Sequence, residues 1–458
     1  MSQRQHVPTA SAMVETAFAR VGVDPFTAAF DLAASAHPPH GHGRSVQPTE
    51  AVELPFADWA PQLFEERQAA PLCLYLHVPF CRHRCAFCPF YRYQCYDGFS
   101  ADYARLLRQD IALTAQALGE DLPRRRVDAV YFGGGTPSDL EGNDLAAVMA
   151  DLKARHGIDA RTEITVEGRF RDFTPEKAAA WVGAGANRFS LGLQSSDERL
   201  RRRLGRLAGR DEIRRVIADL SATGALVIVD LIFGLPGQTI AMLEEDIRFL
   251  AEETTIDGLD LYELKQFPGS PLAKMLETGR LPAAPVQTER GRAYAAACAA
   301  LAAQGFEHFT LQHWRRTPRE RSLYNRLAKV DADLLPFGSG AGGRLGRLSI
   351  ARDPALDGYR QALENGQIPA RYRQTSENSQ RSFPARLAGA VEDRTLPPIS
   401  SWPESTLPWK AALLENWREA GLIESWPSTE EPVRLTAAGC YWAPHLQSLL
   451  TRLAMATR

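Results

Sequence analysis

Apolar runs alternate with amphipathic segments between residues 71 and 265. The runs typical of buried strands cover 72–78, 127–135, 162–168, 188–194, 226–234 and 258–265. The segments with helical spacing between them cover 102–118, 144–157, 175–185, 211–224 and 241–253. Nearly continuous apolar strands separated by helices are typical of a parallel sheet with helices outside. Right-handed crossovers then predict an α/β fold, a partial (β/α)6 TIM-like barrel with its chemistry at the carboxyl ends of the strands.

The flanks of this barrel follow other patterns. Residues 1–70 predict an N-terminal arm or linker, whose Pro-, Gly- and His-rich stretch 36–48 shows no period. The barrel is expected over 71–285, followed over 286–369 by an extension with a helix at 293–306, a strand at 307–314 and a glycine-rich loop at 336–348. Residues 370–458 predict a polar linker, to about 405, and a small winged-helix-like α/β module.

Composition excludes several classes of protein. The 458 residues include 53 Lys and Arg against 55 Asp and Glu, a net charge of −2, with 45% hydrophobic residues. Such a chain has a core and no overall charge that would bind nucleic acid or an anionic membrane. The arginine-rich run 199–210 is explained most simply as a solvated helix face, with one or two side chains free to meet a substrate carboxylate. Neither a membrane span nor a secretory signal is visible.

The cysteines concentrate in one region. Five of the seven lie between Cys73 and Cys95, which favours thiolate ligands in a reducing cytoplasm over disulfides. Cys81, Cys85 and Cys88 form a C-x3-C-x2-C motif directly after the first predicted strand. Three thiolates at this spacing suit zinc or an iron–sulfur cluster. Zinc requires a fourth ligand, for which Cys95, His77 or His83 is available. The position at the mouth of a barrel favours the cluster.

The cysteine motif also resembles that of a known family. The sequence Tyr75-Leu-His-Val-Pro-Phe-Cys81, followed by C-x3-C-x-F-C, is similar to radical S-adenosylmethionine (SAM) enzymes of the coproporphyrinogen-oxidase-like superfamily. The resemblance implies a [4Fe–4S] cluster on Cys81, Cys85 and Cys88, with SAM on the open iron. A low-potential donor such as flavodoxin would reduce the cluster, which then cleaves SAM to a 5′-deoxyadenosyl radical.

The same resemblance implies SAM contacts at successive strand ends. The glycine motif 133–137 lets backbone approach the methionine part of SAM. Glu167 is expected to meet its amine, and Arg206 can grip a carboxylate with two parallel hydrogen bonds. Asp230 is expected to accept hydrogen bonds from the ribose hydroxyls. The full set implied for cofactor binding is Phe87, Gly133, Gly134, Gly135, Thr136, Glu167, Gln194, Arg206 and Asp230, and Tyr75 is expected to line the cluster as part of the catalytic set.

Further motifs resemble the haem-utilization branch of that superfamily. They cover 88–91, 166–169, 187–190, 202–206, 319–321 with 324–325, 337–343 and 435–439. The branch consists of class C radical SAM methyltransferases that open the haem macrocycle without oxygen, releasing iron and the linear tetrapyrrole anaerobilin. The resemblance therefore implies two SAM molecules and a porphyrin substrate. The glycines of 337–343 could allow the backbone to approach either the second SAM or the porphyrin closely.

Two alternatives stay open. One is an oxygen-independent coproporphyrinogen III oxidase, which uses the same scaffold for decarboxylation; against it, Pro89-Phe90-Tyr91 stands where that family has glycine and cysteine after the third cluster ligand. The other is a haem chaperone that carries haem without turnover. The haem axial ligand is also open, with His313 and the arm histidines at 37, 40 and 42 as candidates.

Overall fold

The computed structural model describes residues 16–30, 56–119, 125–330, 332–346, 348–374, 382–426 and 428–455. Its strands are β1 (Leu72–Val78), β2 (Phe80–Cys81), β3 (Tyr93–Gln94), β4 (Ala129–Gly134), β5 (Glu163–Gly168), β6 (Arg188–Gln194), β7 (Leu226–Phe233), β8 (Gly258–Glu263), β9 (Glu307–His308), β10 (His313–Arg315), β11 (Asp333–Phe337), β12 (Gly342–Leu345), β13 (Leu348–Arg352), β14 (Ala370–Gln374), β15 (Thr395–Leu396) and β16 (Val433–Arg434).

The α-helices cover the following residues. They are Pro25–Ala28, Phe56–Glu66, Phe99–Leu118, Gly142–Arg155, Pro175–Ala184, Glu198–Arg203, Arg210–Ala222, Ile240–Glu253, Pro271–Glu277, Gln287–Ala303, Leu323–Leu327, Leu356–Glu364, Phe383–Glu392, Leu407–Glu419 and Ala437–Met455.

The six predicted barrel strands are present and pair in parallel. Their order in the sheet is β1-β4-β5-β6-β7-β8, the order of the chain, with a helix after each of the first five. The predicted bounds of β1 and β6 coincide with the observed ones. Because the strands are almost entirely buried, their apolar runs carry no alternation, as expected for a sheet covered by helices. The predicted partial (β/α)6 barrel is confirmed.

The sheet continues beyond both ends of this barrel. β11 pairs in parallel with β1, and β12, β13 and β14 follow antiparallel. The prediction of an open loop over 336–348 is therefore wrong for most of its length. Its glycines serve a tight turn between two strands: Gly338 has a φ of +96°, and a Cβ there would lie 2.4 Å from the carbonyl oxygen of His77.

The predicted strand at 307–314 is also wrong as a single element. It is the antiparallel pair β9 and β10, of which β10 joins the edge of β8. The N–H groups of Phe309 and Thr310 both donate to the carbonyl oxygen of His313, which closes a tight turn within the apolar run. Across the pair, the rings of His308 and Trp314 stack with centroids 4.1 Å apart.

The carboxyl-terminal part has a hydrophobic core of its own. Helices Phe383–Glu392, Leu407–Glu419 and Ala437–Met455 pack around the two-stranded sheet of β15 and β16. The prediction of a linker over 370–405 is therefore wrong for 370–374 and for 382–405, the parts of this stretch that the structure describes. Its polar composition hides a helix whose Leu387 and Val391 are buried in this core, and β14 belongs to the main sheet.

Described residues of the predicted N-terminal arm pack against both cores. The Nε1–H groups of Trp417 and Trp442 donate to the carbonyl oxygens of Ala17 and Pro25, at 2.9 and 2.7 Å. Helix Phe56–Glu66 contributes buried side chains to the main core. The arm histidines at 37, 40 and 42 lie outside the described residues. In the described part of the chain, no helix is both long and apolar enough to cross a membrane.

Candidate functional site

The cysteine motif lies on a segment that is fixed at both flanks. β2 pairs in parallel with β3, so that residues 82–92 form a loop between them, which we call the cysteine loop. Ala86 at its centre donates its N–H to the carbonyl oxygen of Leu204 at 3.2 Å and accepts from the N–H of Leu272 at 2.9 Å. Cys81 and Cys85 are buried, and Cys88 is partly exposed. The thiols therefore follow β1, at the carboxyl-end rim of the barrel.

The three thiols share one electrostatic environment. Burial raises the pKa of Cys81 to about 11, and the charge of Cys88 contributes to the rise. Burial likewise raises the pKa of Cys88, and the charge of Cys85 contributes. The hydroxyl of Thr136 donates to Cys81 Sγ at 3.2 Å, and the N–H of Phe90 donates to Cys88 Sγ at 3.4 Å. Thiols of this kind lose their protons on binding a metal centre.

The three thiols are spread along β2 and the cysteine loop, with Cys81 in β2 and Cys85 and Cys88 in the loop. Among the described residues, no three Cys, His, Asp or Glu side chains gather around a point that a single metal ion could occupy. A four-iron cluster takes each thiolate on a different iron, so its ligands need not converge on one point.

Asp139 connects this loop to the barrel, and sequence reasoning missed it. Its buried carboxylate accepts from the N–H and Nε–H of Arg82 at 3.1 and 2.9 Å and from Nη2–H of Arg169 at 2.8 Å. The thiol of Cys95 donates to it at 3.6 Å, which gives Cys95 a structural partner. Burial, with Asp172 nearby, raises the pKa of Asp139. Its place two residues after the glycine motif was the available signal.

The glycines at the end of β4 allow the backbone to pack against β1 and β2. A Cβ on Gly134, whose φ is +115°, would lie 2.6 Å from the ring of His77. One on Gly135 would lie 2.5 Å from the carbonyl oxygen of Phe80. The N–H of Gly135 donates to the carbonyl oxygen of Val78 at 2.7 Å. These two glycines thus bring Thr136 to Cys81.

Carboxylates gather inside the barrel. Glu167 accepts from the hydroxyl of Tyr131 at 2.6 Å and from the N–H of Gly134 at 3.3 Å. Asp230 accepts from the hydroxyl of Ser190 at 3.2 Å. Burial, together with the negative charges of Asp260 and Glu167, raises the pKa of Asp230 to about 7. Burial also raises the pKa of Glu167. Tyr131 was not singled out from the sequence, although it stands two residues before the glycine motif.

Two buried polar groups near the cysteine loop lack partners. Among the described residues, nothing hydrogen-bonds to Gln194 Oε1 or Arg206 Nε. Both side chains lie over Gly192, where a Cβ would be 2.8 Å from Gln194 Nε2 and 3.1 Å from Arg206 Nη2. The guanidinium of Arg206 is 5.8 Å from the ring centroid of Phe87, on the cysteine loop.

A buried polar atom without a protein partner calls for a water, an ion or a ligand, and these two lie side by side over Gly192 next to the cysteine loop. Gln194 offers an acceptor and Arg206 a donor, which suit the ammonium and carboxylate of an amino acid. Thr136, the three thiols and this pair lie around the same loop. The residues present therefore fit a [4Fe–4S] cluster with SAM beside it.

Tyr75 and the turn after β11 border the same rim. The hydroxyl of Tyr75 lies 2.9 Å from Nδ1 of His77, and its ring stacks on that of Tyr131. The hydroxyl of Tyr103 donates to the carbonyl oxygen of His77 at 2.7 Å and accepts from the N–H of Ser339 at 3.0 Å. The turn at 338–341 is thereby fixed beside the carboxyl end of β1.

His313 is not open to a haem iron. It is buried, with Nδ1 2.9 Å from Asp260 Oδ1 and Nε2 3.3 Å from Glu320 Oε1. Burial alone would lower its pKa, but these carboxylates raise the pKa to about 9. Glu320 in turn pairs with buried Arg188. The network is a structural element of the barrel.

Comparisons with known proteins agree with this geometry. The sequence profile of the radical SAM superfamily matches residues 75–250. Anaerobilin synthase of Escherichia coli O157:H7 is 34% identical over 397 residues, covering 86% of this chain and 87% of the relative. Oxygen-independent coproporphyrinogen III oxidase of Bradyrhizobium diazoefficiens is 30% identical over 330 residues, covering 67% and 69%. The haem chaperone of Haemophilus influenzae is 30% identical over 205 residues, covering 44% and 53%.

One solved structure has the same fold over most of its length. The coproporphyrinogen III oxidase of Escherichia coli superposes with a TM-score of 0.70 at 22% identity, covering 86% of this chain and 94% of that one. At that identity the likeness establishes the fold alone. The sequence matches establish the family, whose members use a [4Fe–4S] cluster and SAM. This chain belongs to the radical SAM superfamily, in the coproporphyrinogen-oxidase-like group that includes anaerobilin synthase.

Proposed function

We propose that this protein degrades haem without oxygen, as a class C radical SAM methyltransferase that methylates and opens the macrocycle and releases iron and anaerobilin. The observation that carries the proposal is the similarity to anaerobilin synthase over 86% of the chain, well beyond the superfamily match at 75–250. A barrel by itself fixes no substrate. The motifs shared with the haem-utilization branch support the same conclusion.

The proposed roles begin with the cluster. Cys81, Cys85 and Cys88 are its ligands, and cluster and SAM together supply a carbon radical when bound. Thr136 supports one thiolate through the hydrogen bond to Cys81. The seven cysteines are all free thiols, which suits a reducing cytoplasm and an external low-potential donor.

The first SAM is proposed to lie against the side chains over Gly192. Arg206 holds its carboxylate, Gln194 and Glu167 face its amine, and Asp230 accepts from the ribose. Phe87 and Tyr75 exclude water from the reacting centre. What supports this placement is the pair of unpartnered polar atoms on Gln194 and Arg206 and the closeness of Arg206 to Phe87.

A second SAM and the porphyrin are proposed to lie at the same rim. The turn after Phe337 supports this because it lies directly beside the carboxyl end of β1. Gly340 in this turn is exposed and has a φ of +83°, so its backbone permits close approach of a flat ligand.

A coproporphyrinogen oxidase is the second candidate, since a relative of that name matches at 30% identity over 67% of the chain. The experiment incubates reconstituted protein with haem, SAM and a reductant under anaerobic conditions. Loss of the Soret band with a methylated open-chain product supports the proposal. Haem that stays intact in the protein would instead indicate a chaperone, and carbon dioxide from coproporphyrinogen an oxidase.

A further inference from the structure

Two adjacent surface segments carry arginine and no acidic residue. The cysteine loop, 82–92, contains three arginines and one histidine, and residues 199–207 contain five arginines. Neither segment contains Asp or Glu. Arg82, Arg84, Arg92, Arg199, Arg202 and Arg203 are exposed. Arg82 pairs with Asp139 and Arg202 with Glu198, so the excess positive charge lies on Arg84, Arg92, Arg199 and Arg203. We call this surface the basic collar.

The two segments form one surface in the fold. The N–H of Ala86 donates to the carbonyl oxygen of Leu204, and Gly205 packs against the backbone of Arg84 and Cys85. The collar therefore includes the loop that carries Cys88, the most exposed of the three predicted cluster ligands.

Two apolar side chains are exposed within the collar. Phe90 is 52% exposed and Leu207 is 53% exposed. Apolar residues surrounded by charged ones are typical of a protein–protein interface.

An open groove adjoins the collar. It has a volume of about 690 Å³, and its lining includes Arg82, His83, Arg171, Gly192 and Arg206. Its buried carboxylates are neutralised, because Asp139 and Asp172 pair with Arg82 and Arg169. The whole lining carries six Arg and Lys side chains against four Asp and Glu, Glu141 and Glu176 among them, so the groove between the collar and Arg206 has a small excess of positive charge.

We propose that the basic collar is the docking surface for a small acidic one-electron carrier protein. The carrier would be oxidised by one electron and the cluster reduced by one, with no bond formed. This inference rests on the proposed function only for the presence of the cluster. Complementary charge would speed the encounter and make it sensitive to salt, and Phe90 and Leu207 would supply the apolar contact.

The test uses the full chain with its reconstituted cluster and an acidic flavodoxin as the probe. Binding of the oxidised flavodoxin is followed by its flavin fluorescence at low and high salt, without haem. The variant Arg199→Glu/Arg203→Glu reverses two charges four residues apart on one helix face. The control Arg215→Glu/Arg292→Glu makes the same charge change at exposed positions of other helices.

The collar variant is expected to bind flavodoxin at least tenfold more weakly and to be reduced by it correspondingly more slowly, while dithionite reduces both variants at the wild-type rate. Salt should weaken wild-type binding. Equal affinities of the collar and control variants, or salt-independent wild-type binding, would overturn the proposal.

If the Glu variant loses iron, Arg199→Gln/Arg203→Gln decides in the same assay. Haem that survives incubation with dithionite and SAM would refute the proposed function and leave this result standing.

Discussion

The carboxylate of Asp139 accepts hydrogen bonds from both the N–H and the Nε–H of Arg82, at 3.1 and 2.9 Å. Arg82 directly follows the first predicted cluster ligand, and Asp139 lies two residues after the glycine motif. A single buried carboxylate thus sets the position of the cysteine loop against the barrel.

Replacing this carboxylate should loosen the loop. In Asp139→Asn, one amide oxygen replaces two charged ones, so Arg82 and Arg169 can no longer both donate to this side chain, and only Arg169 keeps a second carboxylate partner, Asp172. We expect a loss of about 2 kcal/mol in the free energy of unfolding, below the range for fully buried pairs because Arg82 is half exposed. Iron bound after reconstitution should fall too. Glu141→Gln, at an exposed neighbouring carboxylate, is the control; unfolding and iron content equal in the two variants would refute this role.

The cluster assignment predicts a selective loss of iron. Serine at Cys81, Cys85 or Cys88 removes a soft ligand and should abolish the brown chromophore and the approximately four irons per chain. Cys298→Ser, at a buried thiol in helix Gln287–Ala303, should retain them. Iron analysis and absorbance spectra report the outcome. A full cluster in Cys85→Ser would disprove the ligand set.

Arg206→Lys should weaken SAM binding although it keeps the charge. Lysine lacks the planar fork of arginine, so it cannot donate two parallel hydrogen bonds to a carboxylate. We expect the Kd for SAM to rise about tenfold, the equivalent of one charge-assisted hydrogen bond. Calorimetry on the reconstituted protein measures it. Arg202→Lys, at an exposed arginine paired with Glu198, is the matched control; equal Kd values for both variants would mean that the pocket is misplaced.

The raised pKa of Asp230 predicts an effect of pH on stability. Its pKa is about 7 in the folded chain, because of burial, Asp260 and Glu167, against 3.8 for the ordinary group. Between these values the unfolded chain loses the proton and the folded chain keeps it, so stability falls as pH rises from about 4 to about 7. Asp230→Asn should remove this component. Denaturant unfolding of the apo protein at pH 5 and pH 7.5 measures this component. If wild type and variant differ in free energy of unfolding by the same amount at both pH values, the prediction is contradicted.

The barrel was predictable because its information is local. In β1 and β6 a continuous apolar run is enough to predict a buried strand, and the observed bounds agree. Other elements depend on distant partners. Helix Phe383–Glu392 follows a polar stretch and consists largely of small residues, and the partners of its Phe383, Leu387 and Val391 become evident only in the carboxyl-terminal core.

The candidate site also combines features that local sequence patterns predict with contacts between distant residues that they do not. Cys81 and Thr136 belong to short motifs, so sequence could place both near one centre. The contacts of Asp139 with Arg82 and Arg169 join residues that are 57 and 30 positions apart. No local pattern predicts which carboxylate meets which arginine across such separations.

Isotope flow from SAM tests the proposed reaction most directly. Reconstituted protein is incubated anaerobically with haem, a reductant and SAM whose methyl group carries deuterium. If the methyl group of a second SAM becomes part of the product, both 5′-deoxyadenosine and the tetrapyrrole acquire deuterium, as mass spectrometry would show. Unlabelled tetrapyrrole formed at the normal rate would contradict the methyltransferase mechanism, even with the cluster and the first SAM site correctly assigned.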